Sequence, residues 1–245
     1  MKSYSIGLLA LVILGLVGCQ TTQTADEEAC SNCTYTRAYD TAKVFGDNSD
    51  RGVVVHFHGC NGLYIDNGGW QTQWVRYLNE NGFIVIAPDS FADVRPPEAC
   101  PGNPTRTEDR KATIYHVRTR QMDFALKQIR LKYPGKKIYV WGHSEGGALM
   151  RALTERVDGV ITTGFACPGE RSNYLEASPY LAIMGTDDPV IEGSKKNPLY
   201  EGLEGRCQAY MSEPNWSWLV VQGMGHPAEI WRKGVKEHLS KFLGI

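Results

Sequence analysis

The strongest constraint on this 245-residue chain is a rhythm that begins at about residue 53, where short β-branched apolar runs alternate with segments of helical period. "GVVVHFHG" (52–59), "FIVIAPD" (83–89), "KKIYVWG" (136–142), "GVITTGFA" (159–166), "PYLAIMG" (179–185) and "SWLVVQG" (217–223) read as strands. Runs this continuous belong to strands covered on both faces. Between them, Trp70, Trp74, Tyr77 and Leu78 share a helical face that Asn81-Gly82 stops, and Met122, Ala125, Leu126, Ile129 and Tyr133 share another that Pro134-Gly135 stops. A helix is also expected over "EGGALMRALTERV" (145–157), with Ala148, Leu149, Ala152 and Leu153 on one side, and a last one is marked by Trp231, Val235, Leu239 and Phe242. The alternation predicts an α/β domain on a mostly parallel sheet.

One of these strands runs straight into "GHSEG" (142–146). With 26 glycines in the chain, a serine between two glycines says little alone, since glycines also serve tight turns. The strand before it and the helix expected after it make the pattern informative. A serine hydroxyl is a poor nucleophile until a base takes its proton, and the base needs a carboxylate to orient it. In open α/β sheets such groups gather beyond the carboxyl ends of strands. Asp187 and Asp188 follow one strand and His226 follows the last. Singly, the acids suit a turn and the histidine a helix entry. The order serine, aspartate, histidine gives them a joint meaning.

"HFHGCNGL" (56–63), "APDSFADVRPPEAC" (87–100), "GHSEGG" (142–147), "MGTDDPV" (184–190) and "GMGH" (223–226) occur in that order. In these motifs the chain, from about residue 53 to 240, resembles a dienelactone-hydrolase-type α/β hydrolase. The resemblance implies the α/β-hydrolase fold, a mostly parallel sheet flanked by helices, and the segment Cys167 to Ser178 between two strands is too short for a large lid domain. It implies Ser144 as nucleophile, His226 as general base and Asp188 as orienting acid. Asp188 is preferred to Asp187 because the family places its acid three residues after the strand-end glycine, here Gly185. The backbone N–H groups of Glu145 and Cys60 would form the oxyanion hole. Dienelactone hydrolases proper use a cysteine nucleophile where this chain has serine, so fold and mechanism carry over and the substrate does not.

Other residues receive plainer expectations. His56 and His58 share a strand face that a metal would suit, but no third ligand presents itself, and His58 is read as support for the oxyanion loop. His116, His143 and His238 are read as structural or exposed. Trp70, Phe91, Trp216 and Trp218 are candidates for an apolar pocket or for core. No metal or organic cofactor is expected.

The amino terminus differs in kind. Lys2 precedes an apolar run, Ile6 to Val17, that is too short for a comfortable membrane span and suits a signal peptide. It closes on Leu16-Val17-Gly18-Cys19, which resembles the lipobox of bacterial lipoproteins. That resemblance implies a signal peptide over 1–18, lipid on Cys19, a membrane-anchored envelope protein and, with Gln20 next, the outer membrane. Residues 19–34 then form a polar tether and 35–245 the α/β domain. An exported chain with six further cysteines is expected to form disulfides. Cys30 and Cys33 lie in the polar segment and are read as a structural bridge. The family resemblance places Cys60 near Cys100, and Cys167 near Cys207.

A formal net charge of -1, which loss of residues 1–18 with Lys2 takes to -2, and the absence of a basic cluster exclude nucleic acid as the expected partner. The expected function is a serine hydrolase that cleaves carboxylic esters, on small molecules or polymers, through an acyl-enzyme. The alternatives are a non-catalytic envelope binding or scaffold protein on the same fold, and a peptidase or acyltransferase using the same three residues. Oligomeric state is not legible.

Overall fold

The computed structural model describes residues 35–47, 49–66, 68–92, 108–165, 172–189 and 213–245, with side chains from residue 114 onward in the segment 108–165. The chain divides into two units, 1–31 and 32–245, and the described residues all belong to the second.

In chain order the elements are α1 (Arg37–Asp40), β1 (Lys43–Phe45), β2 (Gly52–Phe57), α2 (Trp70–Glu80), β3 (Phe83–Ala87), α3 (Glu108–Lys132), β4 (Ile138–His143), α4 (Glu145–Ala148) with a 3-10 turn (Leu149–Ala152), β5 (Gly159–Thr163), α5 (Asn173–Glu176), β6 (Tyr180–Gly185), β7 (Trp216–Val221) and α6 (Val235–Leu243). The strands form one sheet in the order β1-β3-β2-β4-β5-β6-β7. β1 pairs antiparallel with β3, and every other pairing is parallel.

The continuous apolar runs are explained by cover on both sides. Successive residues of a strand point to opposite faces. Along β2, Val54 belongs to one buried cluster with Trp74, Val75 and Leu78 of α2 and Val235 and Leu239 of α6. Its neighbours Val53, Val55 and Phe57 belong to another with Met122, Leu126 and Ile129 of α3 and Leu149 and Met150. Leu78, wholly enclosed, is the kind of residue whose truncation to alanine costs about 2–5 kcal/mol.

α2 stops where the sequence predicts, with Asn81 as its C-cap and Gly82 following at φ 82°. α3 ends at Lys132, ahead of Pro134-Gly135 as expected, but starts well before the apolar stripe at Met122. Two expectations are corrected. The helix over 145–157 is one turn of α-helix and one of 3-10 helix, because Leu153 leaves at ψ 131° so that the chain turns back to β5 within six residues, and packing overrides the propensity of "LTERV". Trp231 lies ahead of α6 and is 55% exposed, so it does not belong to that helix's apolar face.

The chain moves from β2 to β3 on one side and then crosses to β4 on the other, with α2 and α3 on opposite faces of the sheet. The carboxyl ends of β2 and β4 therefore flank a point where the strand order reverses, the place where open α/β sheets gather their functional groups.

Candidate active site

Phe57 of β2 pairs with Gly142 of β4, so "HGC" (58–60) and "HSE" (143–145) emerge side by side. Ser144 sits at the turn between β4 and α4 with φ 53° and ψ -119°, and is the single non-glycine residue with positive φ among the described residues. Such a conformation costs about 1–3 kcal/mol and persists only where the surroundings impose it. Here Ser144 N–H donates to the Thr163 carbonyl at 2.9 Å, while its own carbonyl accepts from Gly147 N–H at 2.9 Å. The turn also needs Gly146, since a Cβ there would stand 2.0 Å from the Phe57 carbonyl oxygen.

Two loops on the far side of β4 complete the cluster. β6 ends at Gly185 and β7 at Val221. The loops that follow are cross-bonded, with Thr186 N–H donating to the Val221 carbonyl at 3.1 Å and Asp187 N–H to the Met224 carbonyl at 3.0 Å. A Cβ at Gly185 would lie 1.8 Å from the Met224 oxygen, so only glycine lets the two loops come this close.

That contact brings His226 Nδ1 to 2.8 Å from Asp188 Oδ2, and His226 Nε2 lies 2.9 Å from Ser144 Oγ. A carboxylate accepts, so Nδ1 carries the proton and Nε2 offers its lone pair to the serine hydroxyl. Asp188 is fully buried and His226 partly exposed. Asp187 is exposed and accepts from Thr186 Oγ1 at 2.8 Å. Ser144 and His226 line a cavity of about 190 Å³ together with Cys60, His143 and Trp70.

His143 forms part of the wall of this cavity. It is buried, and its ring lies 4.9 Å from that of His226 and 4.3 Å from that of Trp70. Burial, and then the nearby His226, holds its pKa well below the ordinary histidine value. His116 is exposed and His238 half-buried. Trp70 belongs to the cavity, whereas Trp216 and Trp218 pack around Tyr180 on the face covered by α3. Phe91 packs edge-on against His58.

His58 is fully buried, and its Nε2 accepts from Ser90 N–H at 3.1 Å, which leaves Nδ1 as donor to the Gly59 carbonyl at 2.7 Å. Burial, and then the Arg118 guanidinium, pushes its pKa well down, so the ring remains neutral in this role. His56 is stacked on Trp141 at 3.8 Å. Among the described residues no three histidine, cysteine or acidic side chains gather into a metal-binding group.

Cys60 is disulfide-bonded. Cys19, Cys30, Cys33, Cys100, Cys167 and Cys207 lie outside the described residues. Glu145 opens α4, and its carboxylate accepts from Arg118 Nη1 at 2.6 Å. Arg118 is the site residue that sequence reasoning misses. It stands one helical turn before Met122, so extending the Met122–Ile129 stripe backwards puts a guanidinium on the buried face of α3.

Residues 52–165 match the sequence family described as alpha/beta hydrolase fold. Solved structures agree over most of the chain. A Thermus thermophilus protein, TT1662, superposes with a TM-score of 0.62 at 15% identity, over 83% of this chain and 94% of its own. The chain has the α/β-hydrolase fold. Other structures with that fold include a dienelactone hydrolase from Anabaena variabilis, with a TM-score of 0.51 at 14% identity over 82% of this chain and 87% of its own. A Xanthomonas campestris protein, XC6422, described as an α/β serine hydrolase without a lid, has a TM-score of 0.50 at 15% identity over 83% and 87%. No curated protein sequence matches the chain. On the α/β-hydrolase fold described here, the serine follows β4, the acid β6 and the histidine β7.

Proposed function

We propose that this protein is a serine hydrolase that cleaves carboxylic esters through an acyl-enzyme. The observation that carries the reading is the hydrogen-bonded chain Asp188–His226–Ser144, which ends on a serine in the wall of a cavity. Ser144 Oγ attacks the ester carbonyl carbon as its proton passes to His226 Nε2. Asp188 holds Nδ1–H in place and stabilises the imidazolium that forms. The tetrahedral oxyanion is met by the backbone N–H groups of Cys60 and Glu145, each such donor being worth about 10²- to 10³-fold in rate. Collapse breaks the bond to the alkoxide, which leaves as alcohol with the proton from His226. Water then gives a proton to His226 and adds to the acyl-serine, and the proton returns to Ser144 Oγ as the carboxylic acid departs.

No lysine, arginine, aspartate or glutamate is among the described residues lining the cavity, which favours an uncharged ester group there. The test is turnover of p-nitrophenyl esters of graded acyl length, with Ser144→Ala as control. Hydrolysis by wild type that vanishes in the variant supports the reading, and no hydrolysis of any member of the panel removes it.

Two further proposals rest on the sequence. Cys19, at the end of the apolar run, is the lipid attachment site of an outer-membrane protein. Mass spectrometry of the exported protein tests this by the diacylglycerol mass on the Cys19 peptide. Cys100 is the partner of Cys60, which peptide mapping without reduction tests.

A further inference from the structure

The two donors proposed for the oxyanion hole belong to segments far apart in the chain, one after β2 and one after β4. Their separation has to be fixed by something that touches both. Arg118 does so from α3: its side chain is wholly buried, Nη1 donates to Glu145 Oε1 at 2.6 Å, and Nη2 donates to the backbone carbonyl of His58. The segments are already in close approach there, since a Cβ on Gly146 would lie 2.6 Å from that same His58 oxygen.

The next peptide along is pinned as well. The Gly59 carbonyl, which accepts from His58 Nδ1–H at 2.7 Å, belongs to the same rigid plane as the Cys60 N–H and points the opposite way. Holding that oxygen therefore aims the Cys60 donor. On the other side, Glu145 carries both the second donor, in its backbone, and the carboxylate that grips Arg118. A continuous linkage thus runs from Glu145 through Arg118 and the His58 carbonyl to the Gly59–Cys60 peptide.

We infer that the Arg118–Glu145 ion pair sets the relative placement of the two oxyanion donors, which makes both side chains positioning residues for turnover. The inference rests on the serine-hydrolase reading given above. It also accounts for a carboxylate beside a developing negative charge. A buried guanidinium requires a counter-charge, and the pair presents the oxyanion with a neutralised glutamate. Lysine in place of Arg118 would keep the charge but lose the planar fork that reaches two acceptors at once.

The test compares Glu145→Gln, Arg118→Lys and the double variant Arg118→Met/Glu145→Met with wild type. The double variant leaves no unpaired buried charge, so it removes the linkage at the least cost to folding. For each folded protein, kcat and KM for p-nitrophenyl acetate are measured per active site titrated with a fluorophosphonate, alongside inhibition by phenylboronic acid, which adds to the serine as a tetrahedral mimic. The inference expects kcat to fall at least about tenfold with KM within about threefold, and boronate inhibition to weaken by a similar factor. A pair that only stabilises the fold would lower the melting temperature and leave kcat per titrated site within twofold, which would overturn the inference. Failure of all three variants to fold would overturn it too, by assigning the pair to the fold. If Ser144→Ala retains turnover, the serine-hydrolase reading itself is lost; if that variant is inactive and Glu145→Gln is unimpaired, only this inference is lost.

Discussion

His226 Nδ1 donates to Asp188 Oδ2 at 2.8 Å, while Asp187, one residue earlier, is turned to Thr186. Neighbouring acids at one turn thus have unlike surroundings, one buried against the histidine and one exposed. Asp188→Asn keeps the shape but loses the acceptor that fixes the histidine tautomer, and kcat is expected to fall by about 10³- to 10⁴-fold. Asp187→Asn is expected to stay within about threefold of wild type. Steady-state kinetics on one p-nitrophenyl ester check both, and equal losses would contradict the assignment of Asp188.

The turn at Ser144 has a consequence for stability. Gly146→Ala would set a methyl group 2.0 Å from a backbone oxygen that cannot rotate away, so a loss of about 3 kcal/mol or more is expected. At Gly69, the N-cap of α2, an added Cβ would meet nothing within 4 Å, and Gly69→Ser should change stability by no more than about 0.5 kcal/mol. Urea denaturation of the two variants separates these outcomes.

Acid should unfold the domain through its buried histidines. Burial lowers the His56 pKa to about 3, with the Trp141 carbonyl opposing and Arg118 adding to the effect. An unfolded histidine takes up its proton near pH 6.5, while the folded ring does not until about pH 3, so unfolding takes up protons in that window and stability falls as pH falls. Between pH 7 and pH 5 this amounts to about 2 kcal/mol for His56 alone. His58 and His143, also buried and lowered, act in the same direction. Denaturation curves at the two pH values measure the loss, and equal stability would contradict the neutral buried rings.

Much of this fold was legible because its strands are covered twice. Val53 to Val55 and Ile84 to Ile86 have no exposed member, so the sequence shows unbroken apolar runs where a one-sided sheet would show alternation. Ser144, Asp188 and His226 were legible as a set because each follows a strand in a set order. β1 was not, since "KVF" is a three-residue edge strand with an exposed centre and carries no pattern of its own. Arg118 was hidden for a different reason: a guanidinium in a helix reads as surface charge until its partners are known, and Glu145 and His58 reach it only through tertiary packing. That the His143 ring faces the cavity is not legible either, because sequence does not say which ring a turn aims inward.

Covalent labelling is the decisive test of Ser144 as nucleophile. Wild type and Ser144→Ala are treated with a fluorophosphonate, digested and analysed by mass spectrometry while residual esterase activity is followed. One adduct is expected, on the peptide containing Ser144, with activity lost in proportion to labelling and neither label nor activity in the variant. Full esterase activity with Ser144 unlabelled, or a folded Ser144→Ala protein that still turns over ester, would contradict that role.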